Sequence, residues 1–177
     1  MGKLVTHLQE GRILGVNLLI LVILGTQAYN FDRLLNAIEK SKIKEEIIVQ
    51  SRDVSFLSHK FVLREFIDFD EMHSLINKAN YVICHGGTAT IIQCLELKKK
   101  IICCARLSKY GEHVDDHQME IVSAFVHGGY ILEFGENDSL DEVVSHLDEF
   151  NPQVFNSNTN KFLLKLEKKI NQFLEIE

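Results

Sequence analysis

The chain has 177 residues, 46% of them hydrophobic and 25% charged, which is enough for one domain with a substantial core. Its formal net charge of −6 argues against non-specific nucleic-acid binding, so no nucleic-acid partner is expected, and an anionic ligand would need a local positive field. The four cysteines, Cys84, Cys94, Cys103 and Cys104, form no C-x-x-C pair, which disfavours a zinc knuckle and suggests buried, reduced thiols in a cytoplasmic protein.

Residues 1–15 match no pattern and stand as an extension of unknown role. The apolar run 16–24 is nine residues long and broken only by Asn17, whereas a membrane span takes about 20. Lys3 and Arg12 ahead of it suit a signal peptide. The run passes directly into Gly25-Thr26 without a small-residue cleavage site, however, so a buried strand at 18–24 is the better reading. Residues 31–40 place Phe31, Leu34, Leu35 and Ile38 on one helical face. Glu46–Gln50 and 62–66 are short strands. Asp70 is the N-cap type for a helix with Met72, Leu75, Ile76 and Ala79 on its apolar face.

A strand at 81–84 leads to a helix at 88–97, closed by Lys98-Lys99-Lys100, where cations suit the helix dipole. A strand at 101–105, a helix at 117–126 stopped by Gly128-Gly129, a strand at 130–134 and a helix at 139–150 follow. These elements and the first strand make one α/β domain, 16–155, and 156–177 form a separate C-terminal piece. Its helix, 161–174, sets Phe162, Leu163, Leu166, Ile170, Phe173 and Leu174 against Lys161, Lys165, Lys168 and Lys169. Such a helix packs on its own domain, or docks to a partner or an anionic membrane face. Alternating strands and helices imply βαβ units, hence a mostly parallel, Rossmann-like sheet with helices on both faces. In such a sheet ligands lie beyond the carboxyl ends of the strands. The loops 25–30, 85–88 and 107–116 all fall there.

Two stretches carry chemistry. Strand, His85-Gly86-Gly87-Thr88, then helix is a turn where paired glycines let a ligand approach the backbone and a helix N-terminus offers unpaired N–H groups to a diphosphate. Gly25-Thr26 can contribute likewise. Neither is a G-x-G-x-x-G or a P-loop, so dinucleotide and P-loop readings lack their fingerprints. Alone, the glycine pair serves equally well as a tight turn. The second stretch, 108–118, packs Lys109, Tyr110, Glu112, His113, Asp115, Asp116, His117 and Gln118 into eleven residues, a density suited to gripping sugar hydroxyls. It also reads as a solvated loop with Asp116 as a helix N-cap. His113, Asp115 and His117 are metal-ligand types, but their spacing matches no zinc signature, and neither metal nor cofactor is expected.

Together the two motifs, His-Gly-Gly-Thr at 85–88 and Gly-Glu-His-x-Asp-Asp-His-Gln at 111–118, resemble the C-terminal domain of glycosyltransferase family 28. The resemblance is to soluble subunits of two-component transferases, those extending dolichol-linked precursors and those of bacterial capsule and exopolysaccharide synthesis, and covers about residues 22–134. It implies the donor half of a GT-B fold, with a UDP-sugar whose diphosphate lies over Gly86, Gly87 and Thr88. Gly25, Thr26, His85, Asp116 and Gln118 would line the donor pocket. Gln93 stands where related peptidoglycan transferases carry a ribose-binding glutamate. The chemistry would be inverting displacement at sugar C1, with Glu112 and His113 as catalytic candidates of unassigned role. The chain is too short to hold the acceptor half. A membrane-anchored, acceptor-binding partner and a lipid-linked saccharide acceptor are therefore expected, with this chain peripheral to the cytoplasmic membrane face. A non-catalytic nucleotide-sugar-binding subunit and a sugar-nucleotide epimerase are the other readings.

Overall fold

The computed structural model describes residues 18–157 and positions 164, 168 and 169. The expected last helix otherwise lies outside the described residues, as does the extension 1–15. Six strands form one sheet: β1 (Leu19–Ile23), β2 (Glu46–Gln50), β3 (Val62–Arg64), β4 (Ala79–His85), β5 (Ile101–Cys104) and β6 (Leu132–Glu133). Their spatial order is β3-β2-β1-β4-β5-β6, and every pairing is parallel. The order reverses between β1 and β4, which is where doubly wound sheets open a crevice.

All five residues of β1 and all four of β5 are buried, as continuous apolar strands covered on both faces must be. Strand alternation divides the core into two layers. Ile20, Val22, Ile83 and Cys104 face one way, against α1 (Asp32–Lys40) and α5 (Leu140–Ser145). Leu21, Ile23, Val82, Cys84 and Cys103 face the other, against α2 (Phe69–Lys78), α3 (Thr88–Glu96) and α4 (His117–His127). Cys103 and Cys104 thus point to opposite faces, and all four thiols are free and buried. Burial pushes the Cys104 thiol up to about 12, which keeps it neutral. Among the described residues no helix is long and apolar enough to cross a membrane.

Several boundaries shift for local reasons. Helix α2 is capped by Asp68 rather than Asp70, because the Asp68 carboxylate accepts the Glu71 N–H at 2.8 Å. Helix α5 is shorter than its apolar pattern. Its end tightens through Leu147 N–H to Val144 O at 3.0 Å, and the Leu147 carbonyl takes the Lys100 ammonium instead of continuing the helix. The lysine run after α3 is shared out. Lys98 occupies the left-handed closing position at φ 56°. Lys99 reaches across to Asn77 O (2.7 Å) and Ala79 O (2.8 Å) at the end of α2, so it satisfies a different helix from the one it follows.

Candidate functional site

The chain leaves β1 at Leu24 and β4 at His85, on either side of the point where the strand order reverses. His85 is the centre of this junction. Its Nδ1–H donates to Ile23 O at 3.2 Å, which leaves Nε2 as the acceptor nitrogen of a neutral ring. Burial, outweighing that hydrogen bond, pulls its pKa down to about 4, with the charges of Arg106 and His113 adding to the shift.

The ring also explains the glycines. A Cβ on Gly25 would stand 2.9 Å from His85 Cε1, and one on Gly87 would stand 2.3 Å from His85 Nε2. A Cβ on Gly86 would come within 2.8 Å of the Gln118 Cβ. Gly25 adds a backbone reason of its own, φ +80°. The glycines of these two turns therefore admit protein side chains first, before any ligand. Gly87 is the N-cap residue of α3 and, being glycine, brings no capping side chain, so the first turn of that helix opens beside exposed Thr88.

The loop after β5 supplies the polar interior. Arg106, 1% exposed, donates to four backbone carbonyls: Leu24 (3.0 Å), Tyr29 (3.1 Å), Asn30 (3.1 Å) and Glu112 (3.2 Å). Its guanidinium lies 4.5 Å from the Phe31 ring centroid. Glu112, 2% exposed, receives both Nε and Nη2 of Arg33, at 3.2 and 2.9 Å, and the Leu107 N–H at 2.9 Å. Both of its oxygens are engaged. Arg33 also reaches Ala105 O at 2.7 Å. Gln118 joins two loops with one oxygen, which accepts Gly86 N–H at 3.0 Å and Arg106 N–H at 3.1 Å. Gln50, buried at the end of β2, exchanges bonds with Gly25, donating to its carbonyl at 3.1 Å and accepting its N–H at 3.2 Å.

The rim is wetter. The His113 Nε2 meets the Gln27 carboxamide at 3.2 Å, and its Nδ1 faces Asp115 Oδ1 at 3.1 Å. Asp116 holds the N-cap place of α4, yet its carboxylate turns back to accept Ser108 N–H at 2.7 Å. Asp115 serves the helix instead, taking His117 N–H at 3.2 Å. Thr26 and Thr88 are exposed. The structure thus joins Gly25, His85, Gly86, Gly87, Glu112 and Gln118 through the contacts above, whereas His113 is tied to Gln27 and Asp115. Gln93, half-buried midway along α3, makes no side-chain hydrogen bond to them.

Three residues that organise the site escape a pattern reading: Arg33, Arg106 and Gln50. Arg106 ends a buried run, where a charge is anomalous unless it is paired, and that anomaly was the available signal. Arg33 and Gln50 carry no such mark.

A family model described as Glycosyltransferase family 28 C-terminal domain matches residues 19–173. UDP-N-acetylglucosamine transferase subunit ALG13 of Candida albicans is 27% identical over 105 residues, 59% of this chain and 32% of that protein. The chain therefore spans about a third of the curated relative it matches. Among solved structures, the NMR solution structure of ALG13 superposes with a TM-score of 0.55 at 17% identity, covering 82% of this chain and 93% of that one. Spinosyn forosaminyltransferase SpnP gives a TM-score of 0.55 at 13% identity, covering 75% and 35%. At these identities the structural likeness speaks for the fold: the parallel six-stranded sheet is that of the C-terminal, Rossmann-like domain of GT-B glycosyltransferases.

Proposed function

The chain belongs to the glycosyltransferase family 28 C-terminal domain family, and from that premise we propose that it is the UDP-sugar-binding subunit of a two-component inverting glycosyltransferase. It would transfer a hexose or N-acetylhexosamine to a polyprenyl-diphosphate-linked saccharide during polysaccharide or glycan synthesis. A membrane-anchored subunit would present the acceptor and hold this chain at the cytoplasmic face of the membrane.

The observation that carries this reading is the junction of three loops at the β1/β4 crossover, with the start of α3 opening onto it. Diphosphate over Gly86, Gly87 and Thr88 would be met by the first-turn N–H groups of α3, from Thr88 on, and by the helix dipole as charge develops on the leaving group, since the Gly86 and Gly87 N–H groups already donate to Gln118 Oε1 and His85 O. Neutral His85, with Nε2 as an acceptor, suits a hydroxyl better than a phosphate. Glu112 and His113 are positioning residues in this proposal. Both Glu112 oxygens are held by Arg33 and Leu107, and both His113 nitrogens face loop groups. The base for the acceptor hydroxyl then comes from the acceptor-binding partner. Gln118, Thr26 and Asp116 would face the donor sugar side. Gln93, standing where the resemblance places an acid, favours a second reading, a binding subunit without catalysis, although an amide can still donate to one ribose oxygen and accept from another.

Calorimetric titration of the chain with UDP, UDP-galactose and UDP-N-acetylglucosamine, with NAD as control, tests the proposal. Saturable uridine-nucleotide binding with silent NAD supports it. Silence from both the isolated chain and the chain co-expressed with its partner defeats it. Transfer by the pair that survives substitution of Gln118 would select the non-catalytic reading.

A further inference from the structure

We propose that His113, Asp115 and His117 form a binding site for one divalent cation of the zinc class, set in the outer half of the loop between β5 and α4. Their candidate ligand atoms lie within 4.8 Å of one another. The loop bends between His113 and the start of α4, so two imidazoles approach one carboxylate from either side, their ring centroids 4.8 Å apart and inclined at 66°. Both Nδ1 atoms converge on Asp115 Oδ1, while Asp115 Oδ2 and His117 Nε2 accept no hydrogen bond among the described residues.

His113 is the prepared half of the site. It is 8% exposed and stands 6.3 Å, centroid to centroid, from the Tyr29 ring. Its far nitrogen, Nε2, meets the Gln27 carboxamide at 3.2 Å. The amide nitrogen of Gln27 faces that ring nitrogen, and a half-turn of the carboxamide exchanges it for the oxygen, which then takes the Nε2 proton and frees the Nδ1 lone pair, whose other partner is the Asp115 N–H at 3.3 Å. This is the outer-shell arrangement that ligating histidines use to fix their tautomer. Two neutral imidazoles and one carboxylate form the N2O set that zinc accepts with a fourth position open to water, whereas magnesium and calcium prefer all-oxygen shells. The cation would pin the exposed end of the loop to buried His113 and, through Gln27, to the loop after β1.

The test is calorimetry of the whole chain, freed of metal by chelation, with Zn2+ alone, and Co2+ absorption as a reporter of imidazole ligation. One saturable equivalent is expected. His117→Ala and Asp115→Asn should each weaken it by about 100-fold, since even outer-shell partners are worth about 10- to 100-fold. His127→Ala, at the far end of α4, should leave it unchanged. No saturable Zn2+ binding, wild-type affinity in both loop variants, or loss in His127→Ala would each overturn the site. In the unsubstituted chain, ring-nitrogen resonances of two of the eight histidines should move on Zn2+ addition, and these must be His113 and His117. Movement of any other pair overturns the proposal without relying on a variant that folds.

Discussion

The segment from the end of β5 into the first turn of α4 has two halves that differ in kind. Its inner residues, Arg106, Glu112 and Gln118, are at most 4% exposed and tie backbone from three loops together. Its outer residues, Lys109, Tyr110, Asp115 and His117, are exposed and bond mainly to one another or to Glu136. In sequence the two halves are interleaved and look like one polar surface. In space the inner half is scaffold, because a buried polar group persists only where its partners are supplied. The outer half keeps the unpartnered atoms that a ligand needs.

The largest expected effect breaks the inner half. Arg106→Met keeps the bulk and strands the Leu24 and Glu112 carbonyls, whose bonds to Arg106 are buried, at about 1–3 kcal/mol each, while the carbonyls of exposed Tyr29 and Asn30 can turn to water. The loss of stability should reach about 4 kcal/mol, read from urea unfolding. A loss of less than about 1 kcal/mol would mean that the four bonds are replaceable and the two halves alike.

Protonation of His85 comes next. Its folded pKa of about 4 lies below the ordinary 6.5, so between these values the unfolded chain binds a proton that the folded chain refuses. Stability is unaffected above about pH 6.5 and falls as the pH drops toward 4, by about 3 kcal/mol in all. The measurement is the difference in urea stability between about pH 7 and pH 4.5, for wild type and for His85→Gln. The variant should lack this component of the loss. Equal losses in both would place the acid sensitivity elsewhere.

Much of the fold is legible in the sequence. The continuous apolar run at 18–24 and the helical spacing of Phe31, Leu34, Leu35 and Ile38 state burial directly, and burial dictates a covered parallel sheet. The convergence of the three loops followed from that topology. What the glycines are for did not. Paired glycines read as room for a ligand, and only the placement of the His85 ring and the Gln118 side chain shows that protein atoms take that room. The same holds for Glu112, which local sequence presents as a free acid. Its partner Arg33 is 79 positions away, and no periodicity encodes such a pair.

The glycine interpretation can be sharpened directly. Gly87→Ala puts a Cβ 2.3 Å from His85 Nε2, an overpacking expected to cost about 2 kcal/mol. Adding His85→Ala removes the ring, so the double variant should be no less stable than His85→Ala alone. A cost of the same size in both backgrounds would mean that the His85 ring is not what Gly87 makes room for.

The smallest effect tests the outer half. Lys109 Nζ stands 2.7 Å from Glu136 Oε1, and the Tyr110 hydroxyl donates to the same oxygen at 2.6 Å, so on distance alone this cluster rivals the Arg33–Glu112 pair at 2.9 Å. Exposure separates them, since the Lys109 side chain is 58% exposed and the Glu112 side chain 2%. In water the Coulomb gain is screened and a long side chain must be ordered to make it, whereas a buried carboxylate that loses its partner has no solvent to replace it. A double-mutant cycle over Lys109→Ala and Glu136→Gln should therefore show no measurable coupling, and the urea midpoints should stay at wild type. The cycle over Arg33→Met and Glu112→Gln should show coupling of about 3 kcal/mol. If the exposed pair couples as strongly as the buried one, the outer half is scaffold as well, and the unpartnered atoms for a ligand must be sought on another face.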